Sequence, residues 1–267
     1  MHQQAGLADI DFAAFKRKVK ASYGLDLDAY KRPQMERRLR ANMERCGAGT
    51  FQQYYSFLQK DPALVEEFLD RVTINVSELF RNTDQFEVLR TKVLPELFKR
   101  HSVLSVWSAG CSYGAEAHTL AILLREQTPD RPHSILGTDI DDKMLARARR
   151  GLFRDEELRN VSSARLKRFF QHTADGYEVL PELRHLMSFK KHDLLKDPFR
   201  TGFDLILCRN VVIYFTDEAK SDLYRRFHQS LAPGGFLFVG GTERVVGAVE
   251  IGFEAAYPFF YRKPLAH

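Results

Sequence analysis

The stretch Val103-Leu104-Ser105-Val106-Trp107, followed by Ser108-Ala109-Gly110-Cys111-Ser112-Tyr113-Gly114, decides the fold class. The apolar run predicts a strand, and the residues from about 115 to 126 have the spacing of a helix. Small residues in the turn between them let the backbone approach a ligand closely. Because the turn lacks the third glycine of the dinucleotide fingerprint, it argues against a dinucleotide site.

The same alternation of short apolar runs and helical stretches continues toward the C-terminus. Further strands are predicted at residues 135–138, around Phe189, at residues 204–208 and at residues 236–239. Pro233-Gly234-Gly235 is expected to end the helix that precedes the last of these strands. Near-continuous apolar strands separated by helices predict a parallel sheet covered on both faces, which is a Rossmann-like α/β arrangement.

Residues 1–72 are predicted to form helices only. Met35, Leu39 and Met43 recur at helical spacing, Thr50 is a candidate N-cap, and Pro62 stands at the first position of a fourth helix. We therefore expect an N-terminal all-helical domain at residues 1–72, a linker at residues 73–85 and an α/β domain at residues 86–267.

Two segments depart from the α/β alternation. Between residues 160 and 186, Asp175-Gly176 with extended flanks predicts a small antiparallel β insertion, and a long surface loop is an equal alternative. The tail around Phe259-Phe260-Tyr261 is expected to add a closing hairpin. A single helix is expected from Asp84 to Arg100.

Composition narrows the class of protein. The net charge of +5 permits an acidic partner without demanding nucleic acid. Cys46, Cys111 and Cys208 are odd in number and none lies at CxxC spacing, so neither a disulfide framework nor a metal site is expected. With no secretory signal and no apolar run of the ~18 residues that a membrane helix needs, we expect a cytoplasmic protein without membrane insertion.

Polar residues follow several of the predicted strands. In an open α/β sheet, ligands bind beyond the carboxyl ends of the strands. Asp139 could accept hydrogen bonds from ribose hydroxyls, with a helix N-cap as the alternative, and Asp193 could bond an adenine amino group. Arg209-Asn210 belongs either to a binding site or to a buried polar network.

Two motifs now carry a resemblance to a known family. Cys208-Arg209-Asn210-Val211-Val212-Ile213-Tyr214-Phe215 and the upstream Thr73-Ile74-Asn75-Val76-Ser77-Glu78-Leu79-Phe80-Arg81 resemble the chemotaxis-receptor glutamate methyltransferases, the CheR family. The likeness extends from about Ala21 to Lys263. It implies S-adenosylmethionine as the cofactor, S-adenosylhomocysteine as the product, and methyl-accepting chemotaxis receptors as the substrates.

The resemblance also implies the residues of the site. Arg81 and Tyr214 would face the methyl group being moved. The family normally has two glutamates where this chain has Ala115 and Glu116, so the shape of the first helical turn departs from the pattern. The residues implied as cofactor contacts are Asn75, Ser77, Arg81, Glu116, Asp139, Asp193, Leu194, Arg209 and Asn210.

The chemistry of carboxyl methylation fits these residue types. A glutamate carboxylate, with an ordinary pKa of about 4.3, is already ionised at neutral pH, so the reaction requires no general base. Arg81 is expected to orient the substrate carboxylate through a charge-assisted hydrogen bond. Its alternative role is a surface ion pair with Glu78 or Asp84.

Residues 31–45 contain six basic residues against two acidic ones. With Met35 and its helical neighbours facing inward, Arg37, Arg38 and Arg45 are expected to point outward together. The alternative readings are a solvated helix face and a docking surface for an acidic helical partner. The resemblance favours docking onto the receptor, by an enzyme that is expected to be a monomer.

Members of the family that bind a receptor's C-terminal pentapeptide tether carry extra residues and glycines in the β insertion. The corresponding stretch here, Phe170-Gln171-His172-Thr173-Ala174-Asp175-Gly176-Tyr177, is short and has one glycine. We therefore expect a pentapeptide-independent enzyme.

Two rival functions remain at this point. A nucleic-acid methyltransferase would share the sheet, but the Pro-Pro-aromatic and Pro-Cys motifs of such enzymes are absent, and Cys208 reads as a packed strand residue. A non-enzymatic regulatory module would not need Arg81 or Tyr214.

Overall fold

The structure is a computed structural model that describes residues 2–73 and 77–265. These residues form two compact units. The first unit contains the helices up to residue 73 together with Tyr214–Ala219, and the second contains the remaining residues from 77 onward.

The first unit is helical. Its helices are α1 (His2–Tyr23), α2 (Arg32–Cys46), α3 (Phe51–Lys60) and α4 (Pro62–Thr73), with a 3₁₀ turn at Leu27–Ala29. The helix boundaries follow the predicted signals. Gly47 takes a left-handed conformation (φ 73°) directly after α2, and the Thr50 side chain accepts a hydrogen bond from the Gln53 amide at the start of α3. The prediction of an all-helical N-terminal domain is thus confirmed.

Aromatic rings fill the core of this unit. Phe15 stacks on Tyr54 with 5.8 Å between ring centroids, and Phe68 meets both rings edge-on. Tyr54 and the neighbouring Asn42 are almost fully buried. Burial raises the pKa of the Tyr54 hydroxyl to about 12, so it stays protonated.

The second unit contains ten strands and the remaining helices. Its strands are β1 (Ser105–Ala109), β2 (Ser134–Asp139), β3 (Leu152–Phe153), β4 (Phe170–Thr173), β5 (Gly176–Val179), β6 (Met187–Lys191), β7 (Phe203–Cys208), β8 (Leu231–Val239), β9 (Glu254–Tyr257) and β10 (Phe260–Arg262). Its helices are α5 (Thr83–Val88), α6 (Leu94–Phe98), α7 (Ala115–Gln127), α8 (Asp142–Arg150), α9 (Ser163–Phe169), α10 (Pro181–Arg184), α11 (Asp217–Ser230, whose first residues belong to the first unit) and α12 (Ala248–Ile251).

Seven strands form the main sheet in the order β6-β2-β1-β7-β8-β10-β9. The five strands from β6 to β8 in that order are parallel, whereas β10 runs antiparallel to β8 and β9. The predicted Rossmann-like sheet and closing hairpin are confirmed. The small β insertion is confirmed as a second, antiparallel sheet in the order β3-β5-β4, and its strand β3 precedes residue 160.

Three details of the sequence prediction were wrong. The first strand begins at Ser105 rather than Val103, and the helix expected from Asp84 to Arg100 contains a π-helical segment at Leu89–Val93. Pro233-Gly234-Gly235 does not end a helix but lies inside β8, where the register against β7 jumps from Phe203–Leu231 to Leu205–Phe236. The extra residues of β8 make room for the proline, which has no amide hydrogen for the ladder.

The parallel register aligns the carboxyl ends of the central strands. Ala109 pairs with Thr138, Ser108 with Leu207, and Cys208 with Val239. The segments that follow β1, β2, β7 and β8 therefore emerge at one edge of the sheet. This edge is where the sequence predicted a ligand site.

Candidate active site

Glu116 in the first turn of α7 lies in a buried network beside β1. Its Oε1 accepts a hydrogen bond from the Ser108 hydroxyl at 2.7 Å, and its Oε2 lies 3.4 Å from Nη1 of Arg209. Burial raises the pKa of Glu116, while Arg209 and Ser108 oppose that rise. The network holds a carboxylate in place at the edge of the sheet.

Arg209 directly follows β7, and its side chain is 3% exposed. It lies between the rings of Phe86 and Phe238, at 4.9 and 4.5 Å from their centroids. Its Nη2 donates to the Gln85 side chain at 2.8 Å and to the Arg81 carbonyl at 3.1 Å. Arg209 thus ties the residues after β7 to α7 and to the segment that carries Arg81.

Asp139 ends β2 and is 8% exposed. Its Oδ2 accepts a hydrogen bond from the Ser112 amide at 2.7 Å, and its Oδ1 accepts one from the Asp141 amide at 3.1 Å. Burial raises the pKa of Asp139, against the effect of these amides. The N-cap of α8 is Asp141, whose side chain accepts hydrogen bonds from the amides of Lys143 and Met144. The helix N-cap considered as the alternative role of Asp139 is therefore provided by Asp141.

Asn210 adopts a left-handed backbone (φ 60°) and is held by Glu243 from the turn after β8. The Glu243 Oε2 accepts hydrogen bonds from the amides of Asn210 at 2.8 Å and Gly240 at 2.7 Å, and its Oε1 accepts from the Val211 amide at 3.1 Å. Glu243 is 4% exposed, and burial raises its pKa. A buried carboxylate therefore fixes the backbone that presents Asn210.

The described part of the linker packs on α7. The Phe80 amide donates to the Thr119 hydroxyl at 3.0 Å, and the Ser77 carbonyl accepts from the Tyr113 hydroxyl. Arg81 is half-buried, and its own carbonyl is the acceptor for Arg209. Ser77 and Arg81 thus lie near the residues after β1 and β7.

Left-handed conformations of residues other than glycine concentrate at this edge of the sheet. Phe80, Asn82, Ser112 and Asn210 all have φ between 49° and 60°. Such a conformation costs of order 1–3 kcal/mol per residue and clusters at functional sites. Here the surrounding hydrogen bonds hold the strained residues.

Asp193 and Leu194 follow β6. The Asp193 Oδ1 accepts from the Leu195 amide at 2.9 Å, and its Oδ2 lies 3.6 Å from the Lys196 ammonium. The Leu194 side chain is buried, and its carbonyl accepts from Arg226 at 2.6 Å. Asp193 therefore shapes a turn at the end of the third predicted strand.

Tyr214 lies in the first unit. Its carbonyl accepts a hydrogen bond from the Lys31 amide at 2.9 Å, and its ring lies under the Arg38 guanidinium at 4.6 Å. The next residue, Phe215, forms an isolated β-bridge with Tyr30. The expectation that Arg38 points outward is wrong because it comes three residues after Met35 and four before Asn42, on the inward face of α2.

The other two arginines of the expected docking face differ from each other. Arg37 is exposed, whereas the Arg45 guanidinium pairs with Glu67. Arg32 and Arg40 both pair with Glu36 on the same helix.

Comparison with known proteins identifies the family. A model described as CheR methyltransferase, SAM binding domain, matches residues 75–256, and a model described as CheR methyltransferase, all-alpha domain, matches residues 10–73. The chain belongs to the CheR methyltransferase family. It is 40% identical over 254 residues to a chemotaxis protein methyltransferase of Listeria innocua, covering 95% of this chain and 97% of the relative.

Two further relatives come from other bacteria. A chemotaxis protein methyltransferase of Borreliella burgdorferi is 31% identical, covering 92% of this chain and 91% of the relative. One of Salmonella typhimurium is also 31% identical, covering 91% of this chain and 86% of the relative. The family assignment expected from the two sequence motifs is confirmed, and the chain is a methyltransferase whose cofactor is S-adenosylmethionine.

The residues of this CheR chain fit such a cofactor. The mostly buried Glu116 and the buried Asp139 place two carboxylates at one sheet edge, which suits the hydroxyl and ammonium groups of an adenosyl amino acid. The Arg209 Nε is buried without a hydrogen-bond partner among the described atoms. A Cβ on Gly110 would lie 2.6 Å from the Val211 side chain, so the turn after β1 has no room for a larger residue.

Two predicted site residues, and one that the sequence analysis missed, need separate comment. Asn75 lies outside the described residues, so its role stays a prediction. The Arg209 side chain is almost fully enclosed, and its role as a cofactor contact also stays a prediction. Glu243 was missed because a glutamate four residues after a strand, in Gly240-Gly241-Thr242-Glu243, gives no signal that it turns back onto Asn210.

Other site classes receive no support from the part of the chain that the structure describes. It contains no group of His, Cys, Asp and Glu that could hold a metal ion. None of its helices combines the length and apolar character required to cross a bilayer. Cys208 is fully buried, and burial raises its thiol pKa, which opposes a nucleophilic role.

Proposed function

We propose that this chain methylates glutamate side-chain carboxylates of methyl-accepting chemotaxis receptors, forming glutamate methyl esters for sensory adaptation. The observation that carries the proposal is the coincidence of two facts. The chain is similar over nearly its whole length to chemotaxis protein methyltransferases. Its sheet edge presents buried carboxylates, and the adjoining linker segment supplies Arg81.

The proposed cofactor contacts divide into direct and supporting residues. Asn75, Ser77, Asp139, Asp193, Leu194 and Asn210 are proposed as direct contacts on the resemblance, together with Glu116. Arg209 is proposed to act through Glu116 and the Arg81 carbonyl, which it holds. Buried carboxylates that are already hydrogen-bonded bind further donors without reorganising, which favours affinity.

The proposed chemistry places few demands on the protein. Bound S-adenosylmethionine supplies an electrophilic methyl carbon, which a carboxylate oxygen accepts as the carbon–sulfur bond breaks. Because the carboxylate is ionised at neutral pH, this chain's task is to align it, which supplies roughly 7–11 kcal/mol in favourable cases. Arg81 is proposed to orient the carboxylate, and Tyr214 to shape the space around the methyl group.

Docking is proposed to use the basic helix α2. Of the three arginines first considered, Arg37 is the best candidate because it is exposed and pairs with no described carboxylate. Arg45 is exposed but already paired with Glu67, and Arg38 contacts Tyr214. We further propose that the enzyme acts in the cytoplasm as a monomer without nucleic-acid substrates.

The test is a direct assay of methyl transfer. The enzyme is incubated with methyl-labelled cofactor and membranes from the source cell, and in parallel with RNA and with DNA. We expect label on the receptors that is released by alkali, as a carboxyl methyl ester requires. Alkali-stable label, label on nucleic acid, or no transfer at all would refute the proposed function.

A further inference from the structure

The segment between β8 and β9, residues 240–253, forms a well-anchored surface beside the proposed site. At its start, the Glu243 carboxylate binds three amides, including that of Asn210. In its middle, the Val245 amide donates to the Tyr261 hydroxyl at 3.3 Å, and the Val245 side chain is buried. The segment is therefore held on both sides of Arg244.

An open hollow of about 430 Å³ lies next to this segment. We call it the β9 hollow, and it is lined by Glu243, Arg244, residues 255–259 and Tyr261. Its wall Glu243 is the same residue that holds Asn210, so the β9 hollow adjoins the carboxyl end of β7. A molecule lying in the β9 hollow is therefore next to the sheet edge where the carboxylate must be presented.

Arg244 is the basic residue among those that line the β9 hollow. Arg244 is exposed and makes no ion pair or hydrogen bond with any described residue. The Glu243 carboxylate is engaged by backbone amides, and Glu254 pairs with Arg262 at 2.8 Å. An acidic side chain that enters the β9 hollow can therefore pair with the Arg244 guanidinium without displacing an existing partner.

Apolar side chains stand exposed on the same segment. Val246 and Val249 are 80% and 81% exposed, and they are three residues apart. Ala255, Ala256 and Phe259 add apolar surface inside the β9 hollow. A cation next to exposed valines suits a polypeptide that carries an acidic side chain and an apolar one.

We propose that the β9 hollow receives the part of the substrate polypeptide that flanks the methylated glutamate, with Arg244 pairing an acidic side chain of that segment. Val246 and Val249 pack against an apolar side chain of the same segment. The segment is acidic because the substrate is a glutamate-bearing polypeptide. It lies close to the methylated glutamate because the β9 hollow adjoins Asn210. The inference rests on the proposed function and adds a specificity surface to it.

The test compares Arg244→Gln and Arg244→Glu with the wild-type enzyme, using a soluble cytoplasmic fragment of a receptor as the substrate. We expect the KM for the fragment to rise about 2- to 5-fold in Arg244→Gln, as for an exposed ion pair. Arg244→Glu is expected to raise it about 10-fold because it adds repulsion. The cofactor Kd and kcat should stay unchanged, and the differences should shrink at 0.5 M salt.

Matched variants separate this docking role from general effects. Arg200→Gln removes an exposed arginine at the opposite, amino end of β7 and should leave the KM unchanged. Val246→Ser combined with Val249→Ser should raise the KM without a change in salt dependence. Since these side chains are exposed, all the variants should fold.

The assay distinguishes a failure of the proposed function from a failure of the docking inference. If the wild-type enzyme does not methylate the fragment, the proposed function fails. If the wild type is active but Arg244→Gln has an unchanged KM, or a lower kcat at the same KM, the docking inference is overturned. It is also overturned if sedimentation shows a dimer that Arg244→Gln disrupts, because the β9 hollow then receives a second copy of the chain.

Discussion

The Arg38 guanidinium lies over the ring of Tyr214, with 4.6 Å between Cζ and the ring centroid. The Tyr214 carbonyl is held independently by the Lys31 amide at 2.9 Å, and the Thr216 amide donates to the Ala29 carbonyl at 2.8 Å. Helix α2 and the turn before it thus fix the chain that directly follows the Cys208-Arg209-Asn210 motif. An arginine of the basic helix contacts a proposed active-site residue.

Substitution of Arg38 should therefore affect turnover rather than docking. A cation–π contact contributes about 0.5–2 kcal/mol, so Arg38→Ala should lower kcat roughly 2- to 30-fold with little change in the KM for receptor. The matched control is Arg37→Ala, one position away and exposed, which should raise the KM in a salt-sensitive way. Steady-state methylation of a receptor fragment measures both. Equal effects of the two variants on KM alone would contradict the assignment.

Arg81 should matter for the reaction more than for cofactor affinity. If it orients the substrate carboxylate, Arg81→Ala should lower kcat about 10²-fold, the loss expected for a misplaced reactant. Calorimetric titration with S-adenosylhomocysteine should show a Kd within a few-fold of the wild type. The control is Arg159→Ala, which removes only an exposed ion pair with Glu78. Unchanged turnover in Arg81→Ala would remove this residue from the mechanism.

The sequence revealed elements and caps well because their signals are local. Thr50 and Gly47 mark helix ends through bonds within a few residues, and the apolar runs of the sheet are distinct. The inward position of Arg38 was also readable from its spacing to Met35, but the charge pattern suggested the opposite. The partner that Arg38 meets there, the ring of Tyr214, lies far away along the chain and could not be predicted from the spacing.

The polar network behind the site was less accessible to sequence reasoning. Arg209 joins Glu116, Gln85 and the Arg81 carbonyl, which come from three separate segments. Such long-range hydrogen bonds leave no periodicity in the sequence. The resemblance supplied Arg209 as a cofactor contact, which stays a prediction, and the structure adds the hydrogen bonds by which it joins these three segments.

Glu243 should support both stability and activity. In Glu243→Gln, an NH₂ group must replace one oxygen and face a donor amide of Asn210, Gly240 or Val211. Leaving a buried donor unsatisfied costs about 1–3 kcal/mol, so the free energy of unfolding should fall by that amount. Urea denaturation measures it, with the exposed Glu250→Gln on α12 as the control. Equal stability of the two variants would show that Glu243 is not a structural anchor.

The small sheet should not bind a receptor's C-terminal pentapeptide. β4 and β5 pair from Thr173–Gly176 onward, so only Ala174 and Asp175 connect them, and the connection has no added residues. Calorimetric titration with such a pentapeptide should give no heat of binding, while the receptor fragment without its tether should still be methylated. Micromolar affinity for the pentapeptide would contradict this expectation.

Buried His118 should make stability depend on pH. Burial lowers its pKa from 6.5 to about 4, and its Nδ1 donates to the Gly114 carbonyl at 2.7 Å. Between pH 6.5 and pH 4, His118 is protonated in the unfolded chain but remains neutral in the folded protein. Its contribution to stability is therefore complete above pH 6.5 and is lost as the pH falls toward 4, at about 1.4 kcal/mol per pH unit.

The variant His118→Gln keeps a donor for the Gly114 carbonyl and has no titrating group. Between pH 7 and pH 5, the wild type should lose about 2 kcal/mol more of its free energy of unfolding than this variant, because 1.5 units of that range lie below 6.5. Urea denaturation at the two pH values measures the difference. His185→Gln, at an exposed position, should follow the wild type. If His118→Gln and the wild type lose stability in parallel, the imidazole does not remain neutral in the folded protein.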